Sequence, residues 1–329
     1  MFDIRRRLAS WDSIIVLLTV LVLIVASASV SNFGTDRNFT FLVLDLLPIA
    51  LVALPMTFIV ITGEIDLSVA STLGLTSALM GYLWNHGLAI QTIMPLCVVL
   101  GAVLGALNGF LITGLGLPSL AVTIGTLALY RGLAFVVLGD GAVADFPNDY
   151  TSWVTGTIDG GAVPHVLILL VVLAVIFGLI LHATPFGRSL YAIGANAQAA
   201  HFSGIRVPRT KFWLYVVSGA VAGLAGVLWT LRYSSARADN GAGLELAVVA
   251  AVLLGGVSIF GGKGSLPGVL AGVVLLASLQ NALRLEDVSG QALNIVTGVL
   301  LILSVLLPNV AASIRGTWQR RRLRQAAAQ

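Results

Sequence analysis

Ten apolar runs of about 18 to 22 residues follow one another along this chain, and each is as long as a helix must be to cross the hydrocarbon core of a bilayer. They lie near residues 14–30, 41–62, 67–85, 92–113, 117–138, 164–182, 212–232, 244–260, 266–284 and 291–309. Strands of a membrane barrel would alternate apolar and polar residues over about ten positions, whereas these runs are continuously apolar. With 58% hydrophobic and 10% charged residues over 329 positions, no water-soluble domain could hide so much apolar surface. The expected fold is all-α: a single polytopic transmembrane bundle of about ten helices occupying 1–329.

The charges orient this bundle. Arg5, Arg6 and Arg7 precede the first run, and Ala26-Ser27-Ala28 resembles a small-residue cleavage site, so a signal peptide has to be weighed. A retained first helix with its N-terminus inside puts every later loop on the side its charge favours, and that reading is preferred. Both termini are then cytoplasmic. Thirteen of the 18 Lys and Arg residues fall inside: Arg5, Arg6, Arg7, Arg188, Arg206, Arg209, Lys211, Lys263, Arg315, Arg320, Arg321, Arg322 and Arg324. Arg37, Arg131, Arg232, Arg237 and Arg284 fall outside or in the outer half, the asymmetry that membrane insertion imposes. The formal charge of +4 does not point to nucleic acid, because the cations sit at span ends and lack a folded soluble platform. The single Cys97 lies in an apolar run and reads as packing.

The longest polar interval runs from Thr184 to Lys211, inside a proposed cytoplasmic loop of 183–211. Asn196 suits the N-cap of a short helix over Ala197 to Ser203, Gly204 suits the left-handed residue after it, and Pro208 forbids continuation. Arg188, Arg206, Arg209 and Lys211 carry positive charge there with no acid between them. Ala199, Ala200 and Phe202 are expected on the surface of the short helix, where they would fill a cleft on a soluble partner. The outer loop 139–163 has the opposite charge, with Asp140, Asp145, Asp149 and Asp159 beside Phe146, Tyr150 and Trp153. It is either a solvated loop with interfacial aromatics or a dock for a soluble extracytoplasmic protein.

Glycines at four-residue spacing, Gly101/Gly105/Gly109, Gly219/Gly223 and Gly268/Gly272, allow close helix approach, within the bundle or along a dimer seam. The hairpins Thr62 to Ser71 and Phe260 to Gly268 form a loose internal echo of the kind transporters contain.

Enzyme chemistry is poorly supplied. His86, His165, His182 and His201 are scattered among loop ends, which supports neither a metal cluster nor a histidine-based triad. Gly262-Lys263-Gly264-Ser265 fails as a phosphate loop, since Val257 stands where the first glycine is required and Gly264 where Ser or Thr must follow the lysine. No ATP site and no directly bound cofactor are expected, and sparse charge within the spans argues against a proton-driven carrier.

Four blocks then carry a resemblance. Gly63-Glu64-Ile65-Asp66-Leu67-Ser68-Val69-Ala70-Ser71 is similar to the Gly-x-x-Asp-Leu-Ser-Val-Gly-Ser signature of the ribose-type permease subunits of ABC sugar importers. Asn108-Gly109 with Thr123-Ile124-Gly125-Thr126-Leu127, Phe186-Gly187-Arg188 through Ser203-Gly204-Ile205, and Leu254 through Ser265 agree in the same order. Ala70 replaces the usual glycine, and Ala247 stands where many relatives have an acid. The wording Leu-Ser-Val-Ala-Ser, with Ser235 to Asp239, leans toward rhamnose-type and autoinducer-2-type permeases.

The resemblance implies a pore-forming subunit in the plasma (inner) membrane. It implies a second permease copy or paralogue, ATPase subunits that hold ATP and Mg, and an extracytoplasmic sugar-binding protein. Arg188, Asn196, Ala199, Ala200, Phe202, Gly204 and Arg206 are the expected ATPase-coupling residues, and Asp140, Asp145 and Asp149 the expected docking residues. Gly63, Glu64, Asp66, Ser68 and Asn108 are assigned to the translocation path or to helix capping. Asp66 either accepts a backbone N–H at the start of the next helix or, with Glu64, supplies charge to a partner or a moving sugar. The competing reading is a secondary transporter or channel with the same topology and no ATPase. An integral-membrane enzyme would need acids or histidines converging at one membrane face, and only Glu64 and Asp66 come near that.

Overall fold

A computed structural model describes residues 11–304 and Leu306. The terminal arginines, Arg5 to Arg7 and Arg315 to Arg324, lie outside the described residues, as does most of the last expected span beyond Ser304. Thirteen α-helices are described: α1 (Trp11–Ser29), α2 (Asp36–Ile61), α3 (Val69–Asn85), α4 (Ile90–Thr113), α5 (Ser119–Leu138), α6 (Asn148–Thr155), α7 (Val166–Ala183), α8 (Pro185–Ala195), α9 (Ala197–Phe202), α10 (Val207–Tyr233), α11 (Leu244–Leu254), α12 (Leu266–Leu285) and α13 (Gly290–Ser304). Two-residue strands β1 (Ala142–Val143) and β2 (Ala236–Arg237) pair antiparallel.

Each expected run holds a helix, but among the described residues seven, α1, α2, α4, α5, α7, α10 and α12, are long and apolar enough to cross a membrane. Burial sorts them. Leu51 to Leu54 and Ile59 to Ile61 of α2 are fully enclosed, so α2 is the axis of the bundle. By contrast α1 and α7 expose Leu17, Leu21 and Ile24, and Ile168, Val171 and Val175. Backbone groups are satisfied within each helix, so such faces can meet hydrocarbon directly.

All three glycine stripes are consumed internally. A Cβ on Gly101 would lie 2.2 Å from Gly219 O, and one on Gly105 2.1 Å from Tyr215 O, so α4 and α10 meet backbone to backbone. Gly268 and Gly272 likewise face Gly255 and Ala251, which joins α12 to α11.

The expected span 244–260 is shorter than anticipated. Helix α11 stops at Leu254 because Gly256 turns left-handed at φ 89°, with Val257 N donating to Val252 O at 3.3 Å. This ending repeats the end of α2, where Gly63 has φ 79° and Glu64 N donates to Ile59 O at 3.2 Å. The ends of α2 and α11 thus share one capping geometry, the second of them lying ahead of the Phe260 to Gly268 hairpin.

Two helices begin inside the bundle. The segment before α11 reaches back to α3: Asn240 Nδ2 donates to Ser77 Oγ at 2.8 Å, and Gly241 packs on Leu73. Its irregular backbone is satisfied by Arg131 on α5, which donates to Ala238 O at 2.6 Å and Asn240 O at 2.9 Å and also reaches Ala70 O in the first turn of α3 at 3.2 Å. Non-helical backbone at such depth is tolerated where protein groups take up its hydrogen bonds. The connection from Thr62 to Ser68 enters the bundle in the same way.

Candidate coupling and translocation site

The polar interval holds more structure than its one expected helix. Thr184 Oγ1 accepts from Gly187 N at 3.2 Å and Pro185 opens the first turn, so α8 runs to Ala195 before α9 begins. The signal was legible: Thr-Pro starts a helix, and buried Gly187, Leu190 and Ile193 recur at three-residue spacing on one face. Asn196 then caps α9 as expected, its Oδ1 accepting from Ala199 N at 2.9 Å. Gly204 follows at φ 87°. Pro208 does more than stop a helix, because it sits in the first turn of α10, two residues after Arg206 at the N-cap.

Helix α9 presents Phe202 with 79% of its surface exposed, and Ala199 is exposed beside it. Ala200 does not join them. It is 4% exposed, so it packs inward and supports the helix from below. The arginines nearby, Arg188 and Arg206, belong to α8 and to the start of α10.

The last turns of α8, just ahead of α9, are wedged against the transmembrane turns. A Cβ at Gly194 would fall 1.9 Å from Ile61 O and 2.4 Å from Gly262 N, so the last turn of α8 touches the backbone of both. Gly262 N also donates to Ile61 O at 2.8 Å, and Tyr191 OH donates to Gly264 O at 2.8 Å. One short helix therefore bears on the end of α2 and on the turn after α11. Sequence reasoning missed Gly194 and Tyr191, because backbone approach between segments more than 60 residues apart leaves no local pattern.

Beyond Ile61 the chain reaches Asp66, which is 1% exposed. Its Oδ1 accepts from Ser68 N at 3.0 Å and Ser68 Oγ at 2.7 Å, and its Oδ2 from Ser218 Oγ at 3.1 Å. Asn108 Nδ2 donates to Ser68 Oγ at 2.8 Å, and Tyr130 OH donates to Asn108 Oδ1 at 3.2 Å. One carboxylate thus joins the α2–α3 connection, α4, α5 and α10. The Ser68 N–H bond closes a turn just ahead of α3, whose N-cap position is Ser68 itself, and Asp66 is shut off from solvent.

Glu64, by contrast, is partly exposed, ion-pairs with Lys211 of α10, and lines a crevice of about 380 Å³ with Thr113, Ser119 and Pro208. Asn108 and Ser68 belong to the Asp66 network and are buried. Gly63 serves as the left-handed end of α2.

At the opposite end of the bundle, Asp140, Asp145 and Asp149 are all exposed on a segment built around α6 and β1. Phe146 is not interfacial as expected. It is 3% exposed, with its ring stacked 5.9 Å from that of Trp84, and so anchors the segment to α3. Trp153 remains 48% exposed. A second ionic feature at this end was not anticipated: Asp45 of α2 pairs with Arg232 of α10 and, at 3.0 Å, with Arg284 of α12.

Residues 38–305 match the family model described as branched-chain amino acid transport system / permease component. The chain belongs to that permease family. Among its relatives is the autoinducer 2 import system permease protein LsrD of Yersinia pseudotuberculosis serotype O:1b (strain IP 31758), 33% identical over 98% of this chain and 99% of the relative. The LsrD protein of Yersinia pestis (strain Pestoides F) is also 33% identical over the same shares. No solved structure matches. The protein is therefore the permease subunit of a binding-protein-dependent importer and a multi-pass protein of the inner membrane.

Proposed function

We propose that this permease imports a small polyhydroxylated solute, a monosaccharide or an autoinducer-2-like molecule, with energy from a separate ATPase that holds the ATP and Mg and docks on α9. The observation that carries this reading is the wedge of α8 between two transmembrane turns, with an exposed aromatic at the tip of the next helix. A partner that grips Phe202 and Ala199 would push on Gly194, and through it on Ile61 and Gly262 together. Movement at Ile61 would pass through the Thr62–Ser68 connection to Asp66, whose hydrogen bonds reach α4, α5 and α10. Because interiors are close-packed, a small displacement at the wedge moves whole helices.

The charge distribution supports ten spans with both termini and the 183–211 interval inside, and with the 139–163 loop and its aspartates outside. There the aspartates would steer a basic rim of the substrate-binding protein. The second permease, a copy or a paralogue, would face α5. That helix exposes Ala121, Gly125, Ala128 and Gly132 along one side, and a Cβ on either glycine meets open space, so the path would run along this seam. Substrate choice would then rest largely with the binding protein.

The test is reconstitution. The permease is co-purified with its candidate ATPase and binding protein, and uptake of autoinducer-2, rhamnose, ribose and a polyol is measured in proteoliposomes. ATP-dependent uptake that requires the binding protein is the expected result. Equal flux without ATP or ATPase would make the protein a channel or secondary carrier and overturn the proposal.

A further inference from the structure

We propose that the crevice between α2, α6 and α10, at the end of the bundle opposite α9, binds the phosphate headgroup of an anionic membrane phospholipid. The crevice encloses about 380 Å³ and is lined by Arg37, Thr40, Phe41, Thr155, Arg232 and Tyr233, together with Leu44. Its two guanidinium groups are held on aromatic rings, Arg37 at 5.7 Å from the Phe41 centroid and Arg232 at 4.7 Å from that of Tyr233. Stacking orients a guanidinium: Arg232 gives one Nη to Asp45, while the N–H edge of Arg37 and the remaining N–H groups of Arg232 can turn onto a phosphate.

The charge inventory points the same way. Five cations belong to this end, and cations are disfavoured there by the bias that governs membrane insertion. Arg131 is taken up by three backbone carbonyls, and Arg237 pairs with Asp239 at 2.9 Å. The other three, Arg37, Arg232 and Arg284, remain. Asp45 pairs with Arg232 and Arg284, so one carboxylate answers two guanidiniums. Among the described residues Arg37 has no carboxylate within ion-pair distance, and its contact is the Phe41 ring. The crevice lining thus holds two guanidiniums and no carboxylate, where the apolar faces of the helices end, which is the level of lipid headgroups.

Positions 37, 41 and 44 share one face of α2, so phosphate at Arg37 brings the first methylenes of the lipid onto Phe41 and Leu44. A zwitterionic headgroup would bring its own cation against these guanidiniums and be disfavoured, which selects an anionic lipid. The inference is independent of the transported solute and of the ATPase contact.

Native mass spectrometry of the detergent-purified permease tests it, with dioleoyl phosphatidylglycerol, dioleoyl phosphatidylcholine or inorganic phosphate added in turn. Phosphatidylglycerol should be retained about fivefold over phosphatidylcholine, the factor one cation contributes at an anionic headgroup. Arg37→Gln, a change at an exposed position, should abolish that preference, while Arg237→Gln outside the crevice should keep it. Equal retention of the two lipids overturns the proposal, as does an unchanged preference in Arg37→Gln. Displacement of phosphatidylglycerol by millimolar inorganic phosphate would assign the crevice to a free anion and overturn the lipid assignment.

Discussion

Asp66 concentrates what a single residue does here. It accepts three hydrogen bonds, and those bonds connect to groups on α4, α5 and α10. Asp66→Asn keeps an oxygen for Ser68 and presents an amide to the Ser218 hydroxyl, which can accept as well as donate. That variant should fold and retain near-normal uptake in proteoliposomes. Asp66→Ala leaves the Ser68 and Ser218 donors buried without an acceptor, at a cost of about 1–3 kcal/mol. Its thermal midpoint in detergent should fall accordingly. A well-folded Asn variant that transports nothing would show that the charge itself is needed. Gly204 is the second decisive residue. A Cβ there meets no neighbour, yet φ 87° penalises any β-branched side chain. Gly204→Val should cost about 1 kcal/mol or more of local strain, leave membrane insertion intact and remove substrate-stimulated ATP hydrolysis. Normal stimulation in that variant would place the ATPase contact elsewhere.

At the scale of elements, the pair α8–α9 behaves as a lever whose fulcrum is Gly194. Gly194→Ala sets a methyl group against Ile61 O and Gly262 N, backbone atoms that cannot rotate away. The turn must shift, and overpacking of this kind costs about 1–3 kcal/mol. Because α8 lies outside the long spans, the variant should still insert. Stimulated hydrolysis should fall several-fold while basal ATPase activity of the partner persists, and retained stimulation would sink the lever. Sequence reasoning found α9 because caps and a terminal glycine are local signals. It missed α8 as a separate helix, and it placed Ala200 on the surface because a six-residue helix offers too few turns for periodicity to show which face is covered.

For the whole molecule, the two ends differ in charge, and that difference carries the remaining forecast. Asp140, Asp145 and Asp149 are exposed and apart from the ion cluster at Asp45. Replacing all three with Asn should leave folding untouched, since surface changes of this type stay within about 0.5 kcal/mol. The apparent KM for loaded binding protein should rise and its dependence on salt should weaken, because steering between exposed charges is screened over roughly 10 Å at 0.1 M ionic strength. A KM and salt slope equal to those of the unaltered permease would reduce the loop to solvated surface.

The apolar runs by themselves determined that this chain forms a helical membrane bundle, because hydrocarbon leaves a backbone few other ways to satisfy its hydrogen bonds. Local chemistry also determined the Asn196 cap, the left-handed Gly204 and the Asp66 turn, each written within a few residues. What the tertiary structure decided were the long-range contacts. Gly194 meets Ile61 and Gly262, Arg131 holds the carbonyls before α11, and Asp45 gathers two arginines from helices more than 180 residues away in sequence. The glycine stripes were visible as close-approach motifs, yet only the packing of α4 on α10 and α11 on α12 showed that their partners lie within the chain. Periodicity marks a face as able to pack, whereas the partner is chosen by which backbones can approach within about 3 Å once every helix competes for the same interior.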